Sequence, residues 1–362
     1  MMKGADSDAR IKTYRLKTRH SIRVMLVFAI FIFIISIYSL SVSRVDISFS
    51  QAFDVILNHI TGDLPIKTEN YKEWWIDTVV ISDNAPRTIC GICVGSILAV
   101  SGAVMQSITR NPLADPYTIG ISSAALLGMS ISIVFGISII PLATGVVSNI
   151  INAFLFSLIP IVVITLISAV KKMSSTMMIL VGIAMMYVFN AFTTFIKFNA
   201  EAEQIHEIFE WSLGTLTGVT WQAVSILIVV SILFIVASMF MATRINVISS
   251  GEKEALSMGE NPVRIRLACL ILVSIAVAVA VCFTGSIGFV GLVAPHIARL
   301  FVGSNCKVLI PFSVIIGALM LVGSDVIVRL LPNVLPVGVV TALIGSPVFL
   351  YFLYKQRTKA IW

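Results

Sequence analysis

Cysteine and histidine, the residue types that most often bind metals or attack substrates, are few in this 362-residue chain, with five and four copies. Cys90 and Cys93 form a CxxC pair, but they lie in an apolar stretch, and no second pair follows at zinc-binding spacing. We therefore interpret the cysteines as small apolar residues in helix contacts. The histidines do not cluster either, so the sequence predicts no metal site.

The sequence also lacks the residue patterns that nucleotide hydrolysis and acid–base catalysis require. The sequence has no GxxxxGKS or GxxxxGKT phosphate loop, so we do not expect the chain itself to hydrolyse ATP. No set of acids, histidines or metal ligands clusters within the apolar stretches. We expect a protein that is not an enzyme and that binds no cofactor itself.

Composition sets the class of protein. Hydrophobic residues make up 58% of the chain and charged residues 12%, whereas soluble globular chains have about 45–50% and about 25%. This excludes a soluble enzyme, a disordered chain and a fibrous protein. A membrane-crossing helix takes roughly 20 residues, so the chain has room for about ten. The sequence predicts an all-α polytopic membrane protein.

Charged residues separate the apolar stretches and mark ten predicted spans. The eighth is the weakest, because it is short and contains Pro295, His296 and Arg299. The spans are Met25–Val42, Thr88–Met105, Tyr117–Ile137, Leu142–Val170, Met177–Phe198, Trp221–Ala242, Leu267–Phe283, Gly288–Val302, Val308–Val328 and Val334–Tyr354.

The basic residues give the orientation, because Lys and Arg favour the cytoplasmic side of a membrane. With the N-terminus inside, nineteen of the 25 basic and six of the 18 acidic residues lie in cytoplasmic segments, which gives +13 inside and −6 outside. Both termini are therefore predicted to face the cytoplasm of a multi-pass cell-membrane protein. The basic N-terminus then reflects topology rather than nucleic-acid binding.

The chain divides into a cytoplasmic N-terminus at 1–23, a single membrane domain at 24–355 and a cytoplasmic tail at 356–362. Within the membrane domain, residues 44–86 form an outer loop in which Trp74 and Trp75 indicate a short amphipathic helix at the interface. Residues 243–266 form a cytoplasmic connection of mixed charge. Its composition fits either a solvated loop or a docking site.

Small residues recur every four positions in two spans, and such stripes let helix backbones approach closely. The stripes are Gly91, Gly95, Ala99 and Ala103 in the second span and Ala276, Ala280, Thr284 and Gly288 in the seventh. The same two spans share a spacing, in which Gly102, Pro112 and Gly120 match Gly285, Pro295 and Gly303. Because these spans run in opposite directions, a true repeat would be inverted.

The cytoplasmic turn at residues 110–116 holds Pro112 and Pro116, which forbid a continuous helix there. Asn111 and Asp115 can bond the freed backbone groups. Taken alone, this stretch predicts a rigid turn.

The wider set of motifs resembles the FecCD-type permeases, the membrane subunits of ABC importers for ferric siderophores, haem and cobalamin. The resemblance covers about residues 20 to 355, and its most specific string is Gly285 to Arg299. The other strings are Pro86–Arg87, Gly95 to Gly102, Gln106, Asn111 to Pro116, Trp211 to Gly214 with Trp221, Ala255 to Gly259, Ser324–Asp325 with Arg329, and Pro336 to Thr341 with Gly345 and Pro347.

This resemblance implies a BtuC-like ABC importer permease fold of ten spans with inverted halves, in which two subunits, identical or related, form one pathway. It also implies two partners, a cytoplasmic ATPase dimer that binds ATP and magnesium and an extracytoplasmic solute-binding protein. Which chelate is carried is set largely by the binding protein.

Residue roles follow from the same resemblance. Arg87 and Arg329 match outer arginines that receive carboxylates of the binding protein, although ordinary interfacial arginines would fit the sequence as well. A further family arginine is Asn84 here, and Val334 stands where the family usually has Glu. Asn111 and Leu113 match positions near the cytoplasmic gate, beside which we expect Ser175 and Thr176.

Glu254, Ala255, Leu256, Met258 and Gly259 match the loop that enters a groove of the ATPase, where small Ala255 and Gly259 would allow close approach. The remaining motif positions are Gly102, Gln106, Pro112, Gly288, Pro295, His296, Arg299, Asp325 and Gly338. Asp325 and Arg329 also fit a structural i,i+4 pair. For His296 we favour helix packing over a ligand role.

An ion-gradient-driven secondary transporter with inverted repeats is the alternative. Such proteins tend to carry acids or histidines at the membrane midplane. Here Asp325 is the one candidate, and it lies near the outer end of its span. A membrane-embedded enzyme, the third option, lacks a clustered set of reactive residues.

Overall fold

The computed structural model describes residues 2–43, 47–62, 65, 70–141, 143–170, 174–332 and 335–356, and within these ranges it is built of helices without strands. The α-helices are α1 Met2–Ser41, α2 Phe49–Thr61, α3 Tyr71–Thr78, α4 Ala85–Thr109, α5 Ile121–Phe135, α6 Gly145–Ser157, α7 Ile159–Val170, α8 Ser175–Phe198, α9 Ala202–Leu213, α10 Trp221–Ser250, α11 Glu252–Ser257, α12 Pro262–Thr284, α13 Val290–Val302, α14 Cys306–Leu330 and α15 Val337–Gln356. A π-helical segment, Val79–Asn84, joins α3 to α4, and a 3-10 helix, Pro116–Ile119, precedes α5.

Ten apolar helical stretches match the ten predicted spans. Seven are long and apolar enough to cross a membrane: Ser21–Ser41, Tyr71–Thr109, Gly145–Val170, Ser175–Phe198, Trp221–Ser250, Pro262–Thr284 and Cys306–Leu330. Three are shorter: Ile121–Phe135, Val290–Val302 and Val337–Phe352. The predicted eighth span is confirmed as the shortest of these, the 13-residue α13.

The predicted fourth span consists of two helices, α6 and α7, which meet at Leu158. Pro160 explains the break, because it has no N–H to donate to the Phe156 carbonyl. The prediction also ended the sixth span at Ala242, whereas α10 continues to Ser250. The predicted boundaries at Leu142 and Val334 and the tail beyond residue 356 lie outside the described residues.

The stretch that ends in α4 is the most buried of the seven long apolar stretches. Its small residues bring neighbouring backbones close, as the sequence predicted. A Cβ on Gly95 would lie 2.3 Å from the Gly317 carbonyl oxygen of α14, and a Cβ on Gly102 would lie 1.7 Å from the Gly291 oxygen of α13. The five cysteines are free and buried, in line with their interpretation as packing residues.

The spacing shared by the second and seventh spans falls on different kinds of element in the structure. Gly102 lies inside α4, whereas Gly285 follows the end of α12. Pro112 lies in a turn, whereas Pro295 lies inside α13. Glycine and proline are common in membrane helices, and three matched positions are therefore a weak sign of duplication.

The outer loop holds two short helices, α2 and α3, where the sequence predicted one. A capping box starts α2. The Ser48 hydroxyl accepts a hydrogen bond from the Gln51 backbone N–H, and the Gln51 side chain accepts one from the Ser48 backbone N–H. His59 Nε2 lies 2.8 Å from Asp77 Oδ1 and joins α2 to α3. Trp74 and Trp75 belong to α3, which runs on into the π-helical segment and α4.

Candidate functional site

Two arginines and one aspartate meet where α4 starts and α14 ends, on the side that the sequence predicts to be outer. Arg87 Nη2 lies 2.7 Å from Asp325 Oδ1, and Arg329 Nη2 lies 2.8 Å from Asp325 Oδ2. The Asp325 side chain is 1% exposed, so the two guanidinium groups balance a carboxylate that water cannot solvate. The structural i,i+4 pair between Asp325 and Arg329 is therefore present.

Arg329 also caps the C-terminal end of α1. Its Nη1 donates hydrogen bonds to the carbonyl oxygens of Ser39 at 2.8 Å and Val42 at 3.0 Å, and its Nη2 contacts the Ser39 hydroxyl. The last carbonyls of a helix have no helical N–H partner, and a cation there also complements the helix dipole. Because its side chain is only 7% exposed, Arg329 makes its contacts mainly within the chain.

Asn84 belongs to the same network. Its Oδ1 accepts a hydrogen bond from Arg329 Nη1 at 3.1 Å, and its Nδ2 donates to the Leu40 carbonyl at 2.8 Å. The amide thus satisfies a second free carbonyl of α1. This position supports the helix end in this chain and contributes no outer positive charge.

A cavity of about 490 Å³ adjoins these residues on the predicted outer side. Arg87 and Arg329 line it together with Trp75, Asp83, Thr217 and Leu331, among others. The Arg87 side chain is 16% exposed and Arg329 is 7% exposed. Of the two predicted docking arginines, Arg87 is the one that presents more of its side chain to this cavity.

The turn after α4, which the sequence predicts to be cytoplasmic, has the geometry that its prolines predict. Arg110 ends α4 in the left-handed region at φ 52°, and Asn111 N donates to the Gln106 carbonyl. Asn111 Oδ1 accepts from Leu113 N at 2.9 Å. The Asn111 side chain thus fixes the turn, whereas Leu113 is 49% exposed.

Helix α8 meets this region through Gly182, whose added Cβ would lie 2.4 Å from the Thr118 carbonyl oxygen. Ser175 and Thr176 lie two turns earlier, at the start of α8. Among the described hydrogen bonds, none joins these two residues to Asn111 or Leu113. Their place beside the gate stays a prediction.

The predicted coupling loop contains the short helix α11, which packs against α10 and α12. Ala255 is completely buried within the chain, and its small side chain lets α11 lie close to its neighbours. Close approach of a partner at this residue stays a prediction. Leu256 and Met258 are 62% and 64% exposed and form the exposed surface of this loop. Gly259 supplies the left-handed turn at φ 80°.

Four of the motif residues converge where α4 crosses α13: Gly102, Gln106, Pro295 and Arg299. Gln106 Nε2 donates to the Leu292 carbonyl at 3.2 Å, and Arg299 Nη1 donates to Gln106 Oε1. Pro295 has no N–H for the Gly291 carbonyl, which is the group that faces Gly102. These contacts hold α13 against α4.

His296 is packed rather than clustered with other ligands. Its Nδ1 lies 2.8 Å from the Leu292 carbonyl oxygen, and its ring meets Phe349 edge-on at 5.8 Å between centroids. Within the described part of the chain, no group of three or more His, Cys, Asp or Glu residues could hold a metal.

Gly288 and Gly338 lie where α9, α12 and α15 come together. A Cβ on Gly338 would lie 1.9 Å from the Leu213 carbonyl oxygen, and Thr341 Oγ1 donates to the Gly288 carbonyl at 3.1 Å. Phe289, which follows, has φ 68° although it is not glycine. The segment between α12 and α13 is thus a tight connection at the start of the short helix.

Sequence analysis missed one ion pair, between a buried arginine and an exposed glutamate, at the end of the bundle that is predicted to be cytoplasmic. Arg266 Nη2 lies 2.8 Å from Glu252 Oε1, with the Arg266 side chain 2% exposed. The available signal was an arginine directly before the predicted span that starts at Leu267. Its partner on a different short helix could not be read from sequence spacing.

Comparison with known proteins gives one consistent result. The sequence profile of the FecCD transport family matches residues 30–355. An iron chelatin transport system permease protein of Helicobacter pylori is 35% identical over 78% of this chain and 84% of its own length. A cobalamin import system permease protein of Halobacterium salinarum is 36% identical over 76% of this chain and 73% of its own.

A solved structure shares the fold as well. It is a metal-chelate type ABC transporter in an inward-facing conformation, and it superposes with a TM-score of 0.79 at 27% identity. The match covers 92% of this chain and 99% of the other.

Proposed function

Because this chain belongs to the FecCD transport family, we propose that it is the membrane-spanning permease subunit of an ABC importer that carries an iron chelate or cobalamin. The iron chelate would be a siderophore complex or haem. The observation that carries this proposal is the family match from residue 30 to 355, which coincides with the ten apolar helical stretches.

The sequence has no phosphate loop, so ATP hydrolysis is assigned to a partner subunit. ATP and magnesium bind a separate cytoplasmic ATPase dimer, and this chain binds no cofactor of its own. A second permease subunit, identical or related, completes the pathway. Both termini face the cytoplasm, as the excess of basic residues there favours.

The cytoplasmic contact with the ATPase is formed by α11. Leu256 and Met258 expose apolar side chains on a side of the protein that is rich in charge. Exposed apolar residues rimmed by polar ones are typical of protein contact sites. Leu256 and Met258, together with Glu254 and Gly259, therefore enter the ATPase groove.

The outer contact with the solute-binding protein centres on Arg87. An acidic side chain entering the cavity would meet a guanidinium beside Asp325, and the three charged groups of this cluster carry a net positive charge. Electrostatic complementarity of this kind favours orientation and encounter rate. Arg329 supports docking indirectly, because it holds α14 and α1 together beneath the cavity.

The cytoplasmic gate lies at the turn after α4. Asn111 keeps the turn rigid and Leu113 presents the apolar side chain that closes the path. When ATP closes the ATPase dimer, displacement of α11 tilts the membrane helices. The transport pathway between the two permease subunits then opens to one side of the membrane at a time.

Ion-driven transport has weaker support. Its candidate acid, Asp325, is buried and forms ion pairs with both Arg87 and Arg329, so its carboxylate oxygens are already engaged within the chain. Copurification tests the proposal: the tagged permease should retain an ATPase whose hydrolysis rises when the loaded binding protein is added. Isolation without any ATPase would remove the proposal.

A further inference from the structure

One guanidinium group joins three elements at the cytoplasmic end of the bundle. Arg266, in the second turn of α12, is 2% exposed, and its Nη2 lies 2.8 Å from Oε1 of Glu252, the first residue of α11. Its Nε donates a hydrogen bond of 3.2 Å to the Ile108 carbonyl in the last turn of α4. The same side chain therefore contacts the predicted coupling helix and the helix that precedes the gate turn.

The contact with α4 has a clear physical basis. Ile108 is among the last residues of α4, whose carbonyls have no helical N–H partner. A cation at this end also complements the helix dipole. The chain turns immediately afterwards at Arg110 and reaches Leu113, so Arg266 bonds the backbone five residues before the predicted gate.

The two ends of the link differ in exposure. Glu252 is 56% exposed, whereas Arg266 is buried. A protein that displaces α11 would thus move the carboxylate that holds the guanidinium. Arg266 Nη1 is also buried and has no hydrogen-bond partner among the described residues, which leaves a donor free to take a new acceptor after such a movement.

We propose that Arg266 is a positioning residue that transmits displacement of α11 to the C-terminal end of α4 and so to the gate turn. The inference rests on the proposed function, because an ATPase must supply the displacement. Replacement of Arg266 should therefore weaken the response of the gate to nucleotide while ATP hydrolysis is retained. A residue that merely stabilised the fold would lower assembly and hydrolysis together.

The test uses the complete complex of permease and ATPase in proteoliposomes. A Leu113→Cys background reports the gate by its rate of labelling with a water-soluble maleimide, since the five native cysteines are buried. Labelling is measured without nucleotide and with ATP plus vanadate. Arg266→Met and Glu252→Gln are compared with Arg264→Met, which removes an exposed arginine from the same helix.

In the parent, nucleotide should change the labelling rate. Arg266→Met should reduce that change about tenfold, as expected for loss of a charge-assisted contact, while ATPase binding and hydrolysis persist. Glu252→Gln should give a smaller reduction, and the double variant should be no worse than Arg266→Met. Arg264→Met should behave as the parent.

Unchanged nucleotide response in Arg266→Met and Glu252→Gln would overturn the inference. If Arg266→Met fails to assemble, Glu252→Gln alone decides between the two outcomes, because its side chain is exposed and tolerates the change. A parent that binds no ATPase at all would instead remove the proposed function, and the inference with it.

Discussion

The Arg329 guanidinium donates a 2.8 Å hydrogen bond to the Ser39 carbonyl, across 290 residues of sequence. This contact fastens the outer end of α14 to the end of α1, while the same arginine pairs with Asp325. An outer arginine that the sequence assigns to partner docking thus stabilises the chain itself. The cluster it belongs to can be tested one charge at a time.

Asp325→Asn should destabilise the protein by about 3–5 kcal/mol, because it leaves Arg87 and Arg329 without their buried counter-charge. Thermal unfolding in detergent can be followed with a thiol-reactive dye, since the five buried cysteines react only when the chain opens. Asp83→Asn, at an exposed position on the same side, is the control. A loss below about 1 kcal/mol would show that the ion pairs do not hold this end together.

Arg87→Gln should lower the affinity for the solute-binding protein about tenfold, because docking loses the more exposed of the two guanidinium groups that line the cavity. Titration of the loaded binding protein against ATPase activity measures the change. The loss should shrink at high salt, which screens the partly exposed charge. An unaltered titration curve in a properly folded variant would rule out docking at Arg87.

Leu256→Glu combined with Met258→Glu should abolish copurification of the ATPase, because charged groups replace the exposed apolar side chains at the end of α11 and at its C-cap. The chain should still fold, since neither side chain is buried. Ile60→Glu, an exposed apolar residue on the outer helix α2, is the control and should leave the complex intact. Retention of the ATPase by the double variant would place the contact elsewhere.

Gly102→Ala should destabilise the protein by about 3 kcal/mol, the upper range for overpacking, because its Cβ would meet the Gly291 carbonyl oxygen at 1.7 Å. Gly323→Ala, at a helical glycine with open space around it, should be neutral or stabilising by up to about 1 kcal/mol. Equal unfolding midpoints for the two variants would contradict the close packing of α4 on α13.

Hydropathy and charge alone predicted most of the fold. Ten apolar stretches appear where expected, because a bilayer-crossing helix needs a long apolar run that charged loops interrupt. The short eighth stretch was also recognised from Pro295, His296 and Arg299. The break at Pro160 was missed, since proline is tolerated in many membrane helices and its effect depends on packing.

The site was only partly predictable. The turn at Asn111 and the pair between Asp325 and Arg329 are local, so sequence spacing indicated both. The buried face of α11 could not be inferred, because six residues carry too little periodicity to show that Ala255 points inward. The contact of Arg329 with Ser39 and that of Arg266 with Ile108 join distant segments, and spacing carries no information about them.

Uptake into proteoliposomes tests the proposed ATP-driven import most directly. Vesicles that contain the permease and its ATPase are supplied with ATP inside and with the binding protein loaded with radiolabelled ferric siderophore, haem or cobalamin outside. We expect accumulation of one of these chelates that requires ATP hydrolysis and persists when ion gradients are collapsed. Accumulation that depends on a proton or sodium gradient, and not on ATP, would contradict ATP-driven import.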